Sequence, residues 1–312
     1  MSAEQGITRR ESLKRIARMG GALAACSLGG GLLPRRSAAA LPERFFVEAV
    51  GETPGYDVKA LVRRAFEEAG GMCMFVSKGD VVAIKPNLSW ARAPEMAATT
   101  HPEVLEAVVE LCRDAGAKKV RIVDHTIHDA RRCFAVTGAG AVAKKTGADL
   151  VFPRKTLMRE MRIHGHRLDV WPVYVPLVEA DRVINLPIAK DHALSTLTVG
   201  MKSWIGGVGG RRHALHQDIH QTIVDLAQFF KPTVTLVDAV RIMVRNGPMG
   251  GRPDDVAVRN TLILSDDPVA ADARAAGLFN VAPDAVGAVR LAEKWGLGTT
   301  DVKSLNPKRV TL

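Results

Sequence analysis

The chain has 312 residues, 47% of them hydrophobic and 24% charged, with a formal net charge of +10. That length and apolar content are enough to bury a full core, which excludes a disordered or fibrous protein. Aromatic residues make up only 5%, too few for the base-stacking surface of a single-strand binder. With no RNA- or DNA-reading motif either, nucleic acid is not an expected partner.

Residues 1–40 have the three parts of an export signal. The basic part holds Thr8-Arg9-Arg10-Glu11-Ser12-Leu13-Lys14, which resembles a twin-arginine signal with Ser12 where an aromatic is usual. An apolar part from Met19 to Leu33 follows, shorter than the roughly 20 residues of a membrane-spanning helix. Ala38-Ala39-Ala40 then supplies an A-x-A cleavage site before Leu41. The twin-arginine translocase is therefore an expected partner and the periplasm the expected compartment. Leu23-Ala24-Ala25-Cys26 offers an alternative, a lipid anchor on Cys26. Seven basic and two acidic residues leave with the signal, which lowers the charge from +10 to +5. The remaining excess suits an anionic small molecule.

From 41 to 312 the pattern predicts a single α/β domain: a mostly parallel sheet flanked by helices, with a small hairpin excursion. Strands are expected over 44–50, 80–85, 119–124, 182–186, 233–240 and 259–264. Helices are expected over 57–69, 102–115, 139–146, 217–230, 269–278 and 284–295, and the hairpin turns near His164-Gly165-His166. Cys73, Cys112 and Cys133 are far apart and form no C-x-x-C pair, so the chain holds no iron–sulfur ligand set.

Polar residues gather where strands end: Lys85 and Asn87, Asp124 and His125, Asn185, and Asp238. Ligands of open α/β sheets bind outside the carboxyl ends of strands, so these ends predict one shared cleft. Asp124 and His125 are candidates for a carboxylate–imidazole pair doing acid–base work, with Lys85 and His192 beside them. The plainer alternative is that such Asn and Asp residues cap turns.

Residues 185–220 are the densest stretch. Lys190, Lys202, Arg211 and Arg212 surround glycines 206, 207, 209 and 210 before a helix, a combination suited to an anion. It is neither a dinucleotide fingerprint nor a P-loop. His213, His216 and His220 would share one helix face, a spacing that admits a divalent metal with a further ligand such as Asp124 or His192.

Several segments together resemble domain-of-unknown-function family 362: VVAIKPNL at 81–88, AGAKKVRIVD at 115–124 and NLPIAKDH at 185–192. VGMKSWIGG at 199–207, TVTLVDAVRIM at 233–243 and SDDPVAADA at 265–273 extend it. The resemblance implies an α/β fold and twin-arginine export, and covers most of 80–298. Many members carry a cluster-binding insert that this chain lacks, and Ser203 stands where the family usually has Asn. These readings lead to an exported enzyme or accessory redox protein, with a redox partner, acting on an anionic small molecule. A non-catalytic binding or maturation factor for another exported enzyme is the alternative.

Overall fold

A computed structural model describes residues 44–312; the twin-arginine run, its cleavage site and Cys26 lie outside the described residues. The strands are β1 (Phe46–Val50), β2 (Val81–Pro86), β3 (Lys119–Val123), β4 (Asp149–Val151), β5 (Met158–Arg162) and β6 (Val170–Tyr174). They continue as β7 (Arg182–Leu186), β8 (Ile188–His192), β9 (Thr196–Thr198), β10 (Val234–Met243), β11 (Val256–Ser265) and β12 (Lys308–Thr311). The helices are α1 (Val58–Glu68), α2 (Pro102–Asp114), α3 (Ala130–Val136), α4 (Ala139–Thr146), α5 (Val175–Val178), α6 (Ile219–Phe230), α7 (Pro268–Gly277) and α8 (Gly287–Lys294).

Local chemistry sets the helix starts. Asp57 caps α1 by accepting from the N–H groups of Lys59 and Ala60, and Asp267 caps α7 by accepting from those of Val269 and Ala270. Pro102 and Pro268 sit in the first turn of α2 and α7, where a missing N–H removes no helical bond. In α1, buried Leu61, Val62, Ala65 and Phe66 recur at helical spacing and turn one stripe to the core.

The main sheet runs β12-β1-β11-β10-β7-β2-β3-β4. The block β10-β7-β2-β3-β4 is parallel, while β11 pairs antiparallel with both β10 and β1. Pleating divides each strand between two cores. Val82, Ile84 and Ile122 join α1, α2, α3 and α4 on one face; Ala83, Val123 and Val237 join α6, α7 and α8 on the other. Fully burying a Val or Ile is worth about 1.5–3 kcal/mol, so a strand covered on both faces, such as β2, is held firmly. The chain is an α/β protein with a mostly parallel sheet between helices.

Two departures from the sequence expectations shape the site. First, β10 does not end near Asp238 but runs on to Met243. Asp238 is thus mid-strand, accepting from the N–H groups of His101 (2.7 Å) and Val240 (3.1 Å) rather than facing a cleft. Second, part of the stretch expected as a loop after Asn185 is strand: β8 continues the line of β7 along β10 and turns back through β9. Pro187 separates β7 from β8 because it has no N–H to give the ladder, while its carbonyl still accepts from Asp238 N–H at 2.8 Å. The hairpin expected near His164 is present as β5 with β6, a separate two-stranded sheet.

Candidate functional site

A cavity of about 440 Å³ opens beyond the carboxyl ends of β2 and β3. Asn87, Ser89 and Trp90 enter it from the segment after β2, and Ile127 from the segment after β3. Lys190, His192 and Thr198 come from the β8–β9 hairpin. A 3-10 helix over Lys202–Gly207 and a 3-10 turn over Arg212–His216 close two sides, and Pro248 completes the wall. The size suits a small ligand.

Lys85 and Asp124 lie one layer below this cavity, under Ser203 and Gly206. Their ammonium and carboxylate are 2.8 Å apart and both side chains are 1% exposed. Lys85 Nζ also donates to Ser203 Oγ (3.2 Å) and the Pro86 carbonyl (2.9 Å), while Asp124 Oδ2 accepts from Leu88 N–H at 2.7 Å. Burial lowers the Lys85 pKa and the neighbouring Asp124 charge opposes that shift. The pair ties the end of β2 to the end of β3. A Cβ at Gly206 would lie 2.2 Å from Asp124 Oδ1, so only glycine lets the 3-10 helix close over the pair.

Arg212 reaches back over the same region and donates to the carbonyls of His125 and Thr126, each at 2.6 Å. His125 Nδ1 stands 2.8 Å from the Val208 carbonyl. A carbonyl can only accept, so that nitrogen carries the proton. His125 thereby fastens the loop after β3 to the 3-10 helix and is not part of the cavity wall. Asn185 likewise serves the scaffold, donating to the Gly200 carbonyl at 2.9 Å.

Three basic groups border the cavity itself. Lys190 is fully buried and donates to the Ala98 carbonyl, with its pKa pushed well down by burial and then by Lys202. Burial also brings Lys202 down to about 8. Its ammonium makes no hydrogen bond or ion pair among the described residues. Arg212 supplies the third. Among the described residues no carboxylate lines the cavity, and Asp124 below it is paired with Lys85.

His192 and His216 face one another with ring centroids 6.3 Å apart and planes 15° from parallel. His192 Nδ1 accepts from the N–H groups of Leu194 (3.2 Å) and Ser195 (3.3 Å), which leaves the proton on Nε2. Burial, Lys202, His216 and Lys190 together bring its pKa to about 3, so it stays neutral. His216 Nδ1 is 3.3 Å from the Arg212 carbonyl, so Nδ1 holds the proton and Nε2 the lone pair. Burial first and Lys202 second lower its pKa as well. The two imidazoles thus present opposite functions, one a donor and one an acceptor.

The structure brings Asn87, Lys190, His192, Lys202, Arg212, His213 and His216 together around the cavity. It does not bring Arg211, which is exposed, or His220. The expected helix from Gln217 begins at Ile219, so His213 and His216 sit on a 3-10 turn and only His220 is on α6. The His220 ring packs against Gly287 at the start of α8. The three histidines therefore share no helix face. Among the described residues no group of three His, Cys, Asp or Glu side chains is placed to hold a metal ion.

Sequence reasoning missed Ser89, Trp90, Ile127, Thr198 and Ile205, which carry no catalytic pattern and differ from ordinary loop or core residues only by position. It also missed Asp272 of α7, 6% exposed, whose carboxylate accepts from Gly200 N–H (2.8 Å) and Met201 N–H (3.1 Å). That grip fixes the backbone immediately before Lys202.

Comparison with known proteins gives both family and fold relatives. The thylakoid-associated protein sll1697 of Synechocystis sp. is 28% identical over 256 residues, covering 77% of this chain and 76% of that protein. The lactate racemase apoprotein from Thermoanaerobacterium thermosaccharolyticum is similar with a TM-score of 0.41 and 15% identity, over 70% of this chain and 54% of that one. A protein from Thermotoga maritima reaches a TM-score of 0.46 at 11% identity, over 71% of this chain and 59% of that one. The chain spans somewhat more than half the length of these two solved structures. Residues 82–277, most of the sheet and the whole cavity wall, match the family described as Domain of unknown function (DUF362), and the chain belongs to that family.

Proposed function

We propose that the cavity binds a small anionic molecule and moves protons on it. One observation carries this reading: Lys190, Lys202 and Arg212 border the cavity with no carboxylate among its lining residues. A buried amine without a counter-charge is held in an unfavourable state, and an anion in the cavity relieves it. Arg212 keeps N–H groups beyond the two it gives to loop carbonyls, and a planar guanidinium suits a carboxylate or phosphate. His192 Nε2–H supplies a hydrogen bond to a ligand oxygen and His216 Nε2 a proton acceptor. Trp90, Ile127, Ile205 and Pro248 would receive the apolar part of the ligand.

The residues proposed for chemistry are therefore His192 and His216 with Lys202, while Lys85, Asp124 and His125 hold the floor in shape. Isothermal titration of the purified protein with acetate, lactate and phosphate tests the reading. Saturable binding of at least one anion, weakened in Lys202→Met, supports it; no binding of any of them overturns it. The proposal includes export in folded form by the twin-arginine translocase, supported by the run from Thr8 to Lys14. Mass spectrometry of the mature N-terminus separates cleavage before Leu41 from lipidation at Cys26. A redox partner would be sought by capture from a periplasmic extract.

A further inference from the structure

We propose that Lys202 is a nucleophilic amine and that the anion the cavity takes carries a ketone or aldehyde beside its carboxylate, as a 2-oxo acid does, which Lys202 captures as an imine. The inference rests on the anion reading above and narrows it to a substrate class.

The geometry separates Lys202 from the other two lysines of this region. Lys85 is spent on Asp124, Ser203 and the Pro86 carbonyl. Lys190 is 1% exposed and donates a hydrogen bond to the Ala98 carbonyl, so its amine is already engaged by the protein. Lys202 borders the cavity, is partly accessible, and makes no hydrogen bond or ion pair among the described residues. Its backbone is held on both sides. Asp272 grips Gly200 and Met201, and Ser203 N–H donates to the Val199 carbonyl at 3.1 Å. A long, flexible side chain on a fixed backbone, with no partner of its own, is what an attacking amine requires. Its pKa of about 8, set by burial, leaves a useful fraction unprotonated near neutral pH.

The surroundings provide the remaining parts. Arg212 draws the carboxylate, and His192 Nε2–H polarises the carbonyl oxygen. The Lys202 Nζ lone pair forms the C–N bond while the carbonyl π electrons move to oxygen. His216 Nε2 takes a proton from nitrogen and returns it to that oxygen, giving the carbinolamine. The C–O bond then breaks and the oxygen leaves as water with the second amine proton, leaving the C=N bond. No oxidant or reductant enters, so the step balances with the amine and the carbonyl compound alone. Trp90, Ile127 and Ile205 line the same cavity and offer an apolar surface to the carbon chain of the bound imine.

The test is reductive trapping. The full folded protein is incubated with pyruvate and sodium cyanoborohydride, its mass is measured intact, and the modified peptide is mapped. Lactate, which has the carboxylate but no carbonyl, is titrated in parallel by calorimetry and added as a competitor. The expected result is one adduct, the mass of pyruvate less one oxygen, on Lys202. Its rate should rise as pH passes about 8, and lactate should suppress it. Lys202→Arg should lose the adduct, and mapping of the wild-type protein serves even if that variant folds poorly. An adduct on Lys190, or spread over surface lysines and insensitive to lactate, overturns the proposal. Equal binding of lactate and pyruvate with no adduct also overturns it while leaving the anion reading intact. If neither compound binds, the 2-oxo acid proposal falls, and the anion reading falls with it only when acetate and phosphate fail to bind as well.

Discussion

The ammonium of Lys85 stands 2.8 Å from the carboxylate of Asp124 at the ends of two neighbouring parallel strands, and neither side chain is more than 1% exposed. Asp124→Ala would leave a buried ammonium with only neutral acceptors. Breaking a buried pair from one side costs about 3–5 kcal/mol. Urea unfolding should show a loss of that order for Asp124→Ala, and a smaller loss for the double change to Lys85→Met with Asp124→Leu. An Asp124→Ala protein as stable as wild type would mean the pair does not hold the cavity floor.

Gly206 covers that pair so closely that an added methyl would sit 2.2 Å from Asp124 Oδ1 and 2.9 Å from Lys85 Nζ. Neither atom can retreat without breaking its own contacts. Gly206→Ala should therefore destabilise by about 1–3 kcal/mol, the usual range for overpacking a filled core. The same change should weaken anion binding, because the 3-10 helix carrying Lys202 must lift. Thermal unfolding and calorimetry read the two effects separately.

The two adjacent arginines should behave differently. Arg211 is exposed and away from the cavity, whereas Arg212 borders it and anchors the loop after β3. Arg211→Ala is expected to leave anion affinity within about twofold of wild type, whereas Arg212→Ala should lower it by about tenfold or more, which is ~1.4 kcal/mol. Equal losses in both variants would place the anion on the exposed glycine-rich turn instead. Titration calorimetry at fixed ionic strength makes the comparison.

Asp272 gives a pH signature with a definite sign. Burial raises its pKa from 3.8 to about 7, despite the two backbone N–H groups that favour its charged form. Between those values the folded protein holds a proton that the unfolded chain has released. Its contribution to stability is therefore present at the acid end and falls as pH rises from about 4 to about 7. Asp272→Asn lacks this titration, so the stability of the variant relative to wild type should rise across the same interval. A difference independent of pH, measured by denaturant unfolding, would show that Asp272 does not titrate there.

Much of the scaffold was legible because its signals are local. Arg182–Leu186 was read at its observed limits, and the Asp267-Pro268 helix start follows from a cap and a proline side by side. Within the cavity, Lys190, His192, Lys202, Arg212 and His216 were legible because they crowd into one stretch of chain. Their division of labour was not. Which lysine is paired and which is free depends on Asp124 and Ala98, 39 and 92 residues away from their partners Lys85 and Lys190 respectively. The expected common helix face of His213, His216 and His220 was lost for a local reason: a turn between His216 and Ile219 breaks the helical phase that would have aligned His220 with the others.

By itself the sequence determined the α/β class, the alternation of strands and helices, and the excess of basic residues in one segment, because hydrophobic period, caps and composition act over a few residues. Only the tertiary structure decided that Asp124 pairs with Lys85, that Asp238 is mid-strand, and that Lys202 borders a cavity with no hydrogen-bond or ion-pair partner among the described residues. Each of those outcomes depends on which distant side chain arrives at the same place, and that is set by strand order and packing across the whole sheet.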